Sequence, residues 1–356
     1  MTEPKRPQAL QRAAALLLLP PLLTELGISP DAVLGGTGVA PDQLRPDAYI
    51  PYAAFLSILD NASRLSGRDD IGMQLGMRQT LAALGPLGEV IRHAATLNEA
   101  LGDFTAFQAG NSTGGAVYLL RADGSVILGY GVYDASSLVS PQIYDLVLAI
   151  GCNLIAELTG GAGMPEEILL SRAAPADPAP WLRLAPCPVR FGQNQTGLRL
   201  RNTTLDLTLP AANAMLHDQA LASLLSGPGG SPPAISARVR HLLRPMLLNG
   251  QAGMEDVASR LSLHARALRR RLVEEGTTFA ALKDEVRFAI ARELLLLGPL
   301  DLTDIAITLD CASASSFVHS FRRWSGQSPG EWRSQQRGSA LISASAGPPS
   351  RNGRPG

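Results

Sequence analysis

The chain has 356 residues, 46% of them apolar and 17% charged, enough for two or three domains with at least one full hydrophobic core, which excludes both a single small module and a disordered chain. Its zero net charge hides an asymmetry: residues 1–234 carry 14 Lys and Arg against 20 Asp and Glu, net −6, whereas residues 235–337 carry 15 against 11, net +4. A basic segment therefore follows an acidic one.

Residues 1–12 read as a flexible N-terminus. Lys5, Arg6 and Arg12 precede the apolar run 13–23, the outline of a signal peptide. Pro20-Pro21 splits that run and no small-x-small cleavage site follows, so the expectation is a first helix packing on its own domain. Helical patterns over 52–64 and 87–94 then give way to β-type composition at 116–121 and 125–130, with the hairpin signal Ala122-Asp123-Gly124 between them. Residues 141–158 predict a long buried helix, and 167–172 and 197–201 further strands. Residues 13–225 thus form an α+β domain. Three cysteines, Cys152, Cys187 and Cys311, lie far apart without CxxC spacing, which argues against a disulfide framework or a zinc site and fits a reducing cytoplasm. No cofactor or metal is expected. No other stretch approaches the ~20 apolar residues that span a bilayer, so no membrane partner is expected either.

Ser226-Gly-Pro-Gly-Gly-Ser-Pro-Pro233 forbids helix and regular sheet and marks a linker over 226–234. In the basic half, 235–337, every periodic segment is helical and a weak repeat emerges. Val257-Ala258-x-x-Leu261-x-Leu263 precedes Leu268 and Leu272, and Ile305-Ala306-x-x-Leu309 precedes Phe317 and Phe321, offset by 48 and 49 residues. Each copy reads as a short helix, a tight turn and a second helix, the helix-turn-helix arrangement. Between the copies Phe279, Leu282, Val286, Ile290, Leu294 and Leu297 recur at three- and four-residue steps, one amphipathic helix that Thr277 or Thr278 can cap after Gly276. Its ~19 residues would span about 28 Å, close to the ~34 Å turn of B-DNA. With Leu268 and Leu272 turned to the core, Arg266, Arg269 and Arg270 project outward, where an Arg fork suits guanine O6 and N7. Residues 338–356 are Ser/Gly/Pro-rich and predict a disordered tail.

Residues 253–335 resemble the AraC/XylS-type DNA-binding domain. The resemblance is carried by Ile305-Ala306-x-x-Leu309, Ser315-Ser316-Phe317, Phe321-Arg322-Arg323-Trp324-x-Gly326-x-Ser328-Pro329 and Trp332-Arg333. The first domain resembles the arabinose-binding-type sensory domain of one subgroup of these regulators through Gly67-x-x-x-Ile71-Gly72-x-x-Leu75-Gly76, Gly85-Pro86-Leu87-Gly88, Thr96-Leu97-x-Glu99-Ala100-Leu101 and Cys187-Pro188-Val189-Arg190-Phe191-Gly192. The resemblance implies base contacts by Arg266, Arg269 and Arg270 in the first recognition helix and by Ser315, Ser316 and His319 in the second. Arg is common in the family where His319 stands, so the second helix is expected to position more than it specifies. Gly is usual in each turn, where this chain has Ser262 and Asp310; if φ is positive there, Asp tolerates it better than Ser.

Enzyme signals are weak. Gly110-Asn-Ser112-Thr-Gly114 fits G-x-S-x-G, but that motif needs a strand before and a helix after, and the pattern here is reversed. Gly35-Gly-Thr-Gly38 lacks the remaining glycine of a dinucleotide loop, and His93, His217, His241, His264 and His319 show no H-x-x-x-H pairing. The expectation is a non-enzymatic, cytoplasmic transcription regulator that binds double-stranded DNA under control of a small-molecule effector or a dimer contact. A homodimer and contact with RNA polymerase accompany that role. The rivals are a serine hydrolase using Ser112 with a helical appendage, and an architectural DNA-binding protein whose first domain only oligomerises. Tyr130, Tyr133 and Asn153 are either pocket residues or ordinary core and surface residues.

Overall fold

The computed structural model describes residues 8–122, 124–134, 139–226 and 234–336; the expected tail and all but the ends of the expected linker lie outside them. Among the described residues the strands are β1 (Leu10–Arg12), β2 (Tyr49–Pro51), β3 (Gly115–Ala122), β4 (Ser125–Val132), β5 (Glu167–Leu169), β6 (Val189–Arg190) and β7 (Gly197–Arg201). A five-stranded sheet has the order β3-β4-β7-β5-β6, antiparallel except for β5 and β6. The expected hairpin is there, with Ala122 opposite Ser125 and φ of +75° at Gly124.

Period-2 alternation sends Val126, Leu128 and Tyr130 into the main core and Tyr118, Leu120 and Ile127 to the opposite face. Helix α1 (Pro141–Leu158) fills that core. Against the expectation that no stretch beyond 13–23 approaches that length, it is long and apolar enough to cross a membrane, and most of it is buried inside the chain. Gly72 and Gly76 of the helix Ile71–Gly76 explain part of the glycine motif: a Cβ on either would collide with α1, at the Gln142 carbonyl oxygen or at Ala149. Glycine lets the two helices approach closely.

Two further expectations need correction. Residues 10–12 belong to the fold and are no flexible end. Strand β1 pairs antiparallel with β2, and Arg12 donates to the Pro46 carbonyl at 2.7 Å and to Asp47 at 2.9 Å. The strand expected over 167–172 stops at Leu169, because Ser171 and Arg172 turn to side-chain partners: the Ser171 amide donates to Thr196 Oγ1 at 3.1 Å and Arg172 pairs with buried Asp145 at 2.6 Å. The run 13–23 packs as expected, in a 3-10 turn and the helix Leu19–Glu25, with Leu16, Leu19, Leu22 and Leu23 buried.

The second half is helical, with its own core. Its helices are α2 (Ile235–Leu248), α3 (Met254–Arg260), α4 (Ala265–Glu274), α5 (Phe279–Leu297), α6 (Leu302–Thr308) and α7 (Ala314–Ser325). Thr278 caps α5, accepting from the Ala281 amide at 3.1 Å. Ser328 and Glu331 form a reciprocal capping box at the start of the last helical turns, with Pro329 in the first position. Phe288, Phe321, Trp324 and Trp332 cluster with ring centroids 5.5–6.5 Å apart, which is why the second copy of the repeat is aromatic where the first is aliphatic.

The two halves meet on the sheet. Leu248 of α2 packs on Tyr118, Leu120, Ile127 and Leu169. Arg244 of α2 donates to Glu293 of α5 at 2.6 Å, with side chains only 1% and 2% exposed. Both lie against the first half: Arg244 sits over the Tyr118 ring at 5.6 Å, and Ser171 Oγ donates to Glu293 Oε1 at 2.9 Å. A Cβ on Gly131 of β4 would strike the Arg244 guanidinium. Burial opposes the charge on Arg244, and the Glu293 carboxylate together with Tyr118, Tyr133 and Tyr144 outweighs it, so its pKa rises well above the usual value.

Candidate nucleic-acid interface

Helices α3 and α4 pack as a pair through Val257, Ala258, Leu268 and Leu272, all buried. Burying that stripe of α4 leaves Arg266, Arg269 and Arg270 exposed, and with them Arg271, which the sequence reading did not single out. Its signal was the unbroken Arg269-Arg270-Arg271 run. Arg270 lies 3.6 Å from Glu274, one turn along, and both are mostly exposed; such a pair is worth little and can yield to another partner. Arg269 Nη2 rests 3.8 Å from Met254 Sδ, a weak contact of an exposed guanidinium.

Helices α6 and α7 repeat the arrangement through Ile305, Ala306, Phe317 and Phe321. Ser315 and His319 are exposed on α7, while Ser316 is half-buried. The Ser316 amide donates to the capping Ser313 Oγ at 3.1 Å. Arg322 and Arg323 are exposed at the far end, Arg323 tied to Asp284 at 2.9 Å.

Helix α5 has the expected 19 residues and pins both pairs through one polar face. Lys283 donates to the Ala252 carbonyl at 2.9 Å beside α3, and Arg287 donates to the Leu309 and Asp310 carbonyls at 3.1 Å in the turn after α6. These bonds fix the spacing and orientation of the two exposed helices. The turns themselves are strained as the sequence suggested: Ser262 and Asp310, at φ of +55° and +54°, are the positive-φ residues other than glycine among those described. Left-handed backbone costs an L-residue about 1–2 kcal/mol, less for Asp, and glycine returns part of that gain through chain entropy. Ser262→Gly should therefore raise stability by up to about 1 kcal/mol, more than Asp310→Gly, seen as a higher urea midpoint at unchanged slope.

The first half carries a cavity of about 100 Å³ between the sheet, α1 and the β1 segment. Tyr130 lines it, whereas Tyr133 packs against the second core and Asn153 donates to the Gly76, Met77 and Gln79 carbonyls. Ser112 also lines it and does not suit a nucleophile. Its Oγ accepts from the Gly115 amide at 3.4 Å, and strand β3 follows it where the nucleophile elbow needs a helix. The hydrolase reading is not supported.

The family described as the arabinose-binding domain of AraC transcription regulators, N-terminal, matches residues 27–209, and a helix-turn-helix domain family matches residues 257–335. The HTH-type transcriptional regulator VirS of Mycobacterium tuberculosis is 29% identical over 91% of this chain and 96% of its own length. The ornithine utilization regulator of Pseudomonas aeruginosa is 26% identical over 88% and 93%. The crystal structure of the transcriptional regulator CdpR from Pseudomonas aeruginosa, 22% identical, covers 86% of this chain and 96% of that one at a TM-score of 0.43. With its first half matched by the sensory family and its basic half by the helix-turn-helix family, the chain belongs to the AraC-type DNA-binding transcription regulators.

Proposed function

We propose that α3–α4 and α6–α7 act as two helix-turn-helix units that α5 sets into successive major grooves, and that the domain beginning at β1 controls them in response to a small molecule. The observation that carries this is the repeated pair: two helices with fully buried apolar stripes present polar faces, and Lys283 and Arg287 on one 19-residue helix tie both pairs down. Arg266, Arg269 and Arg270 would read base edges, Ser315, Ser316 and His319 would make weaker contacts, and Arg271 and Arg322 would meet phosphates. The family relation supports a cytoplasmic homodimer that communicates with RNA polymerase.

The test uses the full chain in binding selection on randomised duplexes, followed by titration across salt. One motif should be enriched, and affinity for it should fall steeply, by about 10³–10⁵ between 50 and 200 mM salt if six to ten phosphates are neutralised. Binding without sequence preference would favour the architectural rival.

A further inference from the structure

The cavity in the first domain has a wall whose chemistry is legible. Phe55, Phe104, Leu128 and Leu198 make up much of it, and its polar side chains gather near β1 and the turn before β3. Each of those polar side chains already has a protein partner. Arg12 bonds to the Pro46 carbonyl, Asn111 and Asp47, and Gln11 donates to the Arg12 carbonyl. Gln108 donates to the Gly115 carbonyl, Asn111 to the Leu84 carbonyl, and Tyr130 shares a 2.7 Å bond with Tyr52.

A sugar site would look different. Every hydroxyl of a pentose taken out of water needs a new hydrogen bond, so an empty sugar site leaves donors and acceptors aimed into its space. Here much of that capacity is already engaged within the wall, and the remaining surface is predominantly aliphatic and aromatic. We infer that this cavity takes a compact apolar molecule, aliphatic or aromatic and of about six to eight non-hydrogen atoms, in place of a sugar, since dry apolar cavities of this order hold molecules of benzene size. This rests on the first domain being the effector domain and adds the class of effector and its route of action. Gly129 and Tyr130 of β4 line the cavity, and the next residue, Gly131, abuts Arg244 of the second half. An occupant that shifts β4 therefore bears directly on the buried Arg244–Glu293 pair.

The experiment measures thermal unfolding of the full-length protein, without DNA, against benzene, 1-hexanol and L-arabinose at equal millimolar concentrations. Benzene and 1-hexanol should each raise the midpoint saturably and arabinose should not. Val147→Phe and Leu154→Phe, which fill the cavity from α1, should abolish the response; the probe comparison in wild type stands even where one of them folds poorly. Stabilisation by arabinose, no response to either apolar probe, or an unchanged response in a folded cavity-filled variant would each overturn the inference. Because these readings need no DNA, a failure of DNA recognition leaves them intact, and a chain that binds its motif yet ignores both probes overturns this inference alone. In the wild type, 1-hexanol should also change affinity for the selected duplex several-fold, and in Val147→Phe it should not.

Discussion

A Glu293→Ala variant should lose about 3–5 kcal/mol, because it strands a buried guanidinium. Arg244 is 1% exposed and its bond to Glu293 is 2.6 Å, so neither water nor another carboxylate replaces the lost partner in the closed seam. Ser171 Oγ loses its acceptor at the same time and keeps only its 2.8 Å contact with Thr196 Oγ1. Removing both charges should cost far less. Arg244→Met with Glu293→Leu retains most of the volume, and a buried ion pair contributes little net stability over an apolar pair of the same shape. Urea unfolding of wild type, the single variant and the double variant separates the two effects. A double variant no more stable than Glu293→Ala would show that packing, and not stranded charge, sets the cost. The pair belongs to the DNA-binding half while Ser171, Tyr118 and Gly131 belong to the sensory half, so the damage should concentrate at the seam. Hydrogen exchange in Glu293→Ala should quicken together in β3, β4 and α2, ahead of the α3–α4 pair.

This seam was closed to sequence reasoning for a physical reason. Arg244 and Glu293 are 49 residues apart, and Ser171 lies 122 residues before Glu293. No local period links them, and each looks like an ordinary polar residue. The cavity is likewise assembled from positions as distant as Gln11 and Leu198. Elements fixed by local chemistry were legible. The apolar steps from Phe279 to Leu297 outlined α5 to within its observed 19 residues, and the missing turn glycines at Ser262 and Asp310 pointed to the strained backbone found there. Tyr130 and Tyr133 mark the boundary between the two cases. They are three residues apart and similar in composition, yet one lines the cavity and the other packs on the DNA-binding core, because β4 ends between them.

Arg269→Ala should weaken binding to the selected duplex by about 1–3 kcal/mol, five- to 150-fold, and relax preference at one or two base pairs. The side chain is exposed beside Arg266 and Arg270, and its planar fork is pre-organised for a two-bond contact with guanine. His319→Ala should cost less. His319 is exposed on α7, and an imidazole cannot make the bidentate guanine contact that an Arg fork makes. His319→Arg should tighten binding, and the manner is readable from salt: a new guanine contact sharpens base preference at unchanged slope, whereas one more neutralised phosphate steepens the slope by about 0.9 and leaves preference alone. Arg271→Ala supplies the contrast within α4, since loss of a phosphate contact weakens binding to all sequences alike and makes the slope shallower by a similar amount. Selection on randomised duplexes at one fixed salt concentration reads base preference for each variant, and titration of the selected duplex across several salt concentrations reads the slopes. An Arg269 variant that keeps its preferred sequence, beside a His319→Ala variant that loses it, would make α7 and not α4 the dominant reader. The Lys283 and Arg287 bonds would then serve chiefly to aim α7.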